Sequence, residues 1–131
     1  MASRQRPLSP HLQVYRWQVQ MVTSILHRAT GVLLSFGALL IAAAVLALLA
    51  GPEAWARTGE VASSIPGMVF LFVWVWAFAF HLLNGIRHLV QDLGLGYEIP
   101  AFVMSSWIVV IGSAVLTLVV FGYGAMRGGL L

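Results

Sequence analysis

Phe80-His81-Leu82-Leu83-Asn84-Gly85-Ile86-Arg87-His88-Leu89-Val90-Gln91-Asp92 closes a long apolar run that opens near Pro66. A run so apolar reads as a membrane-spanning helix, where ionisable side chains are costly and mark function by default. His81 and His88 stand seven residues apart, two helical turns, so both lie on one face about 10 Å apart along the axis. Gly85, four residues after His81, clears that face of side-chain bulk, as a large flat ligand requires. We read His81 as an axial haem ligand. The competing reading of the same spacing is a histidine hydrogen-bonded to a neighbouring helix.

Composition sets the class around this stretch. Of 131 residues, 60% are hydrophobic and 8% charged, with a mean hydropathy of +0.93. Soluble domains carry roughly 25% charged residues, so the fold class is an all-α integral membrane protein. The length accommodates three or four spans as a single membrane-anchor domain over 1–131, with no separate soluble domain. Cysteine is absent, which excludes disulfides, thiolate metal sites and an iron–sulfur cluster held by this chain. All seven cationic side chains are arginine. In a membrane protein such an excess sets orientation and does not imply nucleic acid.

Upstream of the first apolar run, residues 1–20 are polar and basic. Ser9-Pro10 has the form of an N-cap with proline at the first helical position. His11 to Trp17 mixes aromatic and basic residues, as a short interfacial helix would. It is too polar to span, and the apolar run that follows is too long for a cleavable signal core. The three expected spans cover approximately 22–50, 66–90 and 102–125. Gly51-Pro52-Glu53 ends the first, and a polar loop holding Arg57 and Glu60 is expected to run to about Ser64.

Along the first span, Gly31, Ser35, Ala38 and Ala42 form a stripe of small residues on one face. The stripe suits close helix approach in a bilayer, with lipid contact an equal alternative for Ala38 and Ala42. Gly112 and Ser113 suit helix contact in the third span. The aromatic residues Phe70, Phe72, Trp74, Trp76, Phe78 and Phe80 are assigned mainly to packing. With three spans, one side holds Arg4, Arg6, Arg16, Arg28 and Arg87, against Arg57 and Arg127 on the other. The positive-inside rule then places the N-terminus in the cytoplasm, or in the matrix of an organelle.

Ser24-Ile25-Leu26-His27-Arg28-Ala29-Thr30-Gly31 is the second informative segment. Positions 24, 27 and 28 share a helical face, bringing a hydroxyl, an imidazole and a guanidinium together where the first span meets the interface. Arg28 alone could snorkel to the headgroups. Alternatively, a haem's carboxylates need cations and donors, which Arg28 and His27 offer. A quinone carbonyl needs donors in an apolar slot, and Ser24 and Arg28 offer those.

These segments, together with Arg6-Pro7-Leu8-Ser9-Pro10-His11-Leu12 and Tyr15, resemble the cytochrome b556 subunit family of succinate dehydrogenase. This is the larger membrane anchor of respiratory complex II, and the resemblance runs end to end. It implies that His81 ligates haem b and that the second axial histidine comes from the smaller anchor subunit. It further implies that Ser24 and Arg28 line a ubiquinone site, bordered by Trp17. His27 and Arg28 then approach the haem propionates. The implied partners are that smaller anchor, the flavoprotein subunit and the iron–sulfur subunit, in the lipid bilayer. A fumarate reductase anchor running in reverse shares the architecture. A dihaem anchor needs more buried histidines, and an ion carrier needs ionisable residues across the whole span; this chain has neither. A packing subunit with structural histidines is the remaining rival. A bacterial inner membrane is expected rather than a mitochondrial one, because no Arg- and Ser-rich transit segment precedes Arg6-Pro7.

Overall fold

Pro52 at the first turn of one helix and Pro66 and Pro100 at the first turns of the next two punctuate the chain. Proline is preorganised for a helix start, where its missing N–H costs nothing. A computed structural model describes residues 14–128. It contains α1 (Val19–Ala50), α2 (Pro52–Ser63), α3 (Ile65–Asp92) and α4 (Ile99–Arg127). Among the described residues there is no strand. Helices α1, α3 and α4 are long and apolar enough to cross a membrane. Of the expected interfacial helix, residues 9–13 lie outside the described residues, and residues 15–18 are non-helical chain leading into α1.

The stretch 51–64 corrects the sequence reading. In place of a polar loop it holds the 12-residue helix α2. Gly51, at φ 118°, breaks α1 in a conformation that side chains disfavour. Glu53 and Arg57 pair one turn apart at 2.6 Å on the exposed face. Ala54, Thr58 and Ala62 are half-buried on the opposite face, where α2 packs on α1 and α3. The Ser64 hydroxyl then caps α3 by accepting from the Gly67 amide at 3.3 Å.

Inside the bundle, α3 packs against both α1 and α4. The buried hydrophobic side chains are Ala77, Ala79, Phe80 and Val109, while Thr23, Thr30, Asn84, Arg87, Gln91, Ser106, Ser113 and Thr117 are buried polar ones. Leu39, Leu49 and Ile108 are more than half exposed. This inversion is what a bilayer demands: lipid tails are as apolar as leucine, so helices associate through small and hydroxyl residues. The buried hydroxyls are satisfied within their own helices, for example Thr117 to the Ser113 carbonyl at 2.7 Å.

The seam of α1 also differs from the expected stripe. Ser35, Ala38 and Ala42 are exposed, whereas Thr23, Thr30 and Gly37 are buried. Gly37 lies under the Trp74 indole, where an added Cβ would collide with Nε1. Of the aromatic residues assigned to packing, Phe80 is buried at 1% exposure, but Phe70, Phe72 and Phe78 are exposed. Ser113 is buried, and a Cβ at Gly112 would meet Leu83 at 3.2 Å, as helix contact requires. Gly37→Ala is expected to displace the indole and destabilise the bundle by about 1–3 kcal/mol. Thermal inactivation of the detergent-solubilised protein measures this; a variant as heat-stable as the parent contradicts the tight α1–α3 seam.

Candidate functional site

Two glycines let α1 and α3 exchange imidazoles. A Cβ at Gly31 would lie 3.0 Å from His81 Cε1, and one at Gly85 would lie 4.0 Å from His27 Cε1. Each ring therefore projects across the seam toward a position without a side chain. The rings of His27 and His81 stack with centroids 3.9 Å apart and planes 10° from parallel. His88 meets His27 edge-on at 5.1 Å, held by Asn84, whose Nδ2 donates to His88 Nε2 at 3.1 Å. Gly85 thus makes room for an imidazole of the chain itself.

His81 is tied to α1 through one nitrogen. Its Nδ1 lies 3.1 Å from the His27 carbonyl oxygen and 3.2 Å from Thr30 Oγ1. The competing sequence reading, a histidine bonded to a neighbouring helix, is therefore correct as far as it goes. It uses Nδ1 and leaves Nε2 available. The face-to-face stack also bears on ligation, because an iron bound by two imidazoles needs both nitrogens end-on. His27 and His81 are not arranged to share one. Among the described residues, no three His, Cys, Asp or Glu side chains are grouped to hold a metal ion.

The other expected residues are distributed unevenly. Ser24 is half-buried and Arg28 exposed, so the described residues enclose neither. Trp17 is 59% exposed, two residues ahead of α1. His27 Nδ1 is buried without a hydrogen-bond partner among the described residues. Arg87 turns toward α4: its Nε donates to Ser105 Oγ at 2.9 Å, and its guanidinium carbon lies 4.5 Å from the Phe102 ring centroid. Thr30 and Asn84, which position His81 and His88, were not singled out from the sequence. Their signal is the spacing: Thr30 is one turn past His27, and Asn84 is one turn before His88. A cavity of about 480 Å³ opens between α1, α2 and α3 at the far end, lined by Gly37, Ala44, Thr58, Phe70 and Trp74 and by no histidine.

Fold and site together define an all-α integral-membrane subunit with the imidazoles of His27, His81 and His88 gathered toward one end of the bundle. Residues 2–120 match the model of the succinate dehydrogenase/fumarate reductase transmembrane subunit. The chain is 45% identical over 119 residues to the succinate dehydrogenase cytochrome b556 subunit of Paracoccus denitrificans, covering 88% of this chain and 92% of that one. It is 39% identical over 118 residues to the corresponding subunit of Rickettsia bellii, covering 88% and 90% of the two chains. Against the mitochondrial succinate dehydrogenase cytochrome b560 subunit of Mus musculus it is 37% identical over 126 residues, covering 95% and 71%. The chain belongs to the succinate dehydrogenase/fumarate reductase transmembrane-subunit family.

Proposed function

We propose that this chain is the haem b- and ubiquinone-binding anchor of a succinate:quinone oxidoreductase, with His81 as its one axial ligand to the haem iron. The observation that carries the reading is the 3.1 Å approach of His81 Nδ1 to the His27 carbonyl oxygen. The His27 carbonyl can only accept, so the neutral ring holds its proton on Nδ1 and presents an unprotonated Nε2, as iron ligation requires. The buried, unpartnered Nδ1 of His27 fits a second requirement, a polar partner for a propionate beside the ring. Arg28 would supply the cation for the same group. The smaller anchor subunit would supply the other histidine that holds the iron. When bound, haem b supplies a one-electron centre next to the quinone.

In this mechanism the chain performs no dehydrogenation. The flavoprotein subunit oxidises succinate, the iron–sulfur subunit delivers the electrons, and ubiquinone takes two electrons and two protons. Arg28 and Ser24 bind the quinone by donating hydrogen bonds to a carbonyl oxygen, and they stabilise the charge that develops there. Trp17 would border the slot, at the end of the segment leading into α1. Partner chains would help to enclose that slot, since the described residues leave Arg28 and Trp17 exposed. A fumarate reductase anchor would use the same residues in reverse. A reduced-minus-oxidised visible spectrum of the intact membrane complex tests the reading; a spectrum without a low-spin b-type signal rejects it.

The arginine distribution supports a site on the cytoplasmic side of a bacterial inner membrane. Reporters fused within α2 are therefore expected to register as external, and those fused at residues 93–98 as cytoplasmic. The reverse pattern would put the site on the side away from a cytoplasmic iron–sulfur subunit and eliminate the mechanism.

A further inference from the structure

We propose that Thr30 is a positioning residue for the haem ligand: with the His27 carbonyl it fixes the tautomer and direction of His81 and strengthens it as a donor to iron. This rests on the reading of His81 as the axial ligand. Thr30 Oγ1 lies 2.8 Å from the Leu26 carbonyl and 3.0 Å from the His27 carbonyl. A hydroxyl has one hydrogen and two acceptor positions, so its hydrogen goes to a backbone carbonyl of α1. What remains toward His81 Nδ1, 3.2 Å away, is acceptor capacity alone. The Nδ1–H is therefore shared between two acceptors, Thr30 Oγ1 and the His27 carbonyl at 3.1 Å.

Burial and sterics make the arrangement specific. Thr30 is 3% exposed, so water cannot readily replace its oxygen. Gly31 lies beside the same edge of the ring, 3.0 Å from Cε1 to an added Cβ, and so permits the imidazole to reach the α1 backbone. A hydrogen bond from the remote N–H of a ligating imidazole orients the ring and raises its basicity. A more basic ligand favours the more charged ferric iron. Loss of the Thr30 acceptor should therefore loosen haem and raise its reduction potential. If Thr30 were only a hydroxyl satisfied by its own helix, neither property would change.

The test uses the intact complex in membranes. Thr30→Val keeps the shape and removes the acceptor; Thr30→Ser keeps the acceptor. Thr30→Val should retain a low-spin haem but lose it to an excess haem scavenger about tenfold faster. The oxidised-to-reduced ratio at a given potential should fall by up to about tenfold, a rise of at most 59 mV for one electron. Thr30→Ser should match the parent in both. If the second methyl group of valine prevents assembly, Thr30→Ala removes the same acceptor with less bulk and carries the same expectation. A parental haem potential and haem retention in Thr30→Val or Thr30→Ala overturns the inference, as does a shift in Thr30→Ser equal to that in Thr30→Val. Failure of the underlying reading is a separate observation: His81→Ala would then keep its low-spin haem.

Discussion

His81→Ala is expected to reduce the low-spin haem signal of the assembled complex to background, while His27→Ala leaves the haem six-coordinate. The two imidazoles stack 3.9 Å apart, so mere proximity does not predict the difference. It follows from which atoms are used. His81 bonds to α1 through the main-chain oxygen of residue 27 and through Thr30, and both survive when the His27 side chain is removed. The alanine variant at 27 therefore keeps the tautomer and the free Nε2 of His81. It loses a stacked neighbour and a proposed propionate partner, which should perturb the spectrum without abolishing it. His81→Ala removes the nitrogen itself, and among the described residues no second imidazole is placed to substitute: His27 stacks on it, and His88 Nε2 accepts from Asn84. Paired difference spectra of the two purified variants decide the matter. Loss of the low-spin signal in His27→Ala would assign the second axial position to this chain.

The three long helices are legible because a bilayer imposes one simple rule, some 20 apolar residues per crossing, and Pro66 and Pro100 mark two starts. Helix α2 was less legible, since Gly51-Pro52-Glu53 reads equally as the end of one helix and the beginning of another. Glycine stops α1, but proline at the first turn and an acid beside it are also start signals. The buried face of α1 is legible only in part for a related reason: Gly31 meets His81 on α3, while Ser35, Ala38 and Ala42 are exposed. Gly31, Ser35, Ala38 and Ala42 are small, yet so are Thr23, Thr30 and Gly37, and smallness alone does not say which stripe meets a partner. The hydroxyls could be buried because α1 itself satisfies them, as Thr30 does with Leu26. At the site, the histidines and the glycine between them stood out because they are rare in apolar sequence. The role of Thr30 depends on the register of α1 against α3, which no single helix encodes.

Arg28→Leu is expected to lower quinone reduction more than any other single change on α1, and to shift the haem spectrum or potential as well. A hydrogen bond from a charged donor is worth about 1.5–3 kcal/mol, so its loss should slow quinone reduction at limiting quinone by roughly 10- to 150-fold. Ser24→Ala deletes a neutral hydroxyl one turn earlier, worth about 0.5–1.5 kcal/mol or roughly 2- to 13-fold. The haem effects should separate the two. Ser24 lies a full turn from Arg28 and makes no bond to the imidazoles, so its loss should leave haem content and spectrum at parental values. Arg28 adjoins His27 in the chain, and as the proposed propionate partner it would help set the charge near the iron. Succinate oxidation by a soluble dye that takes electrons before the membrane should be unchanged in both variants, provided the complex assembles. That control separates a quinone defect from a lost subunit. If Arg28→Leu reduced quinone at the parental rate, its exposed side chain would be a headgroup anchor of the kind any span edge carries. The quinone slot would then have to be drawn around Ser24, Trp17 and residues of the partner chains.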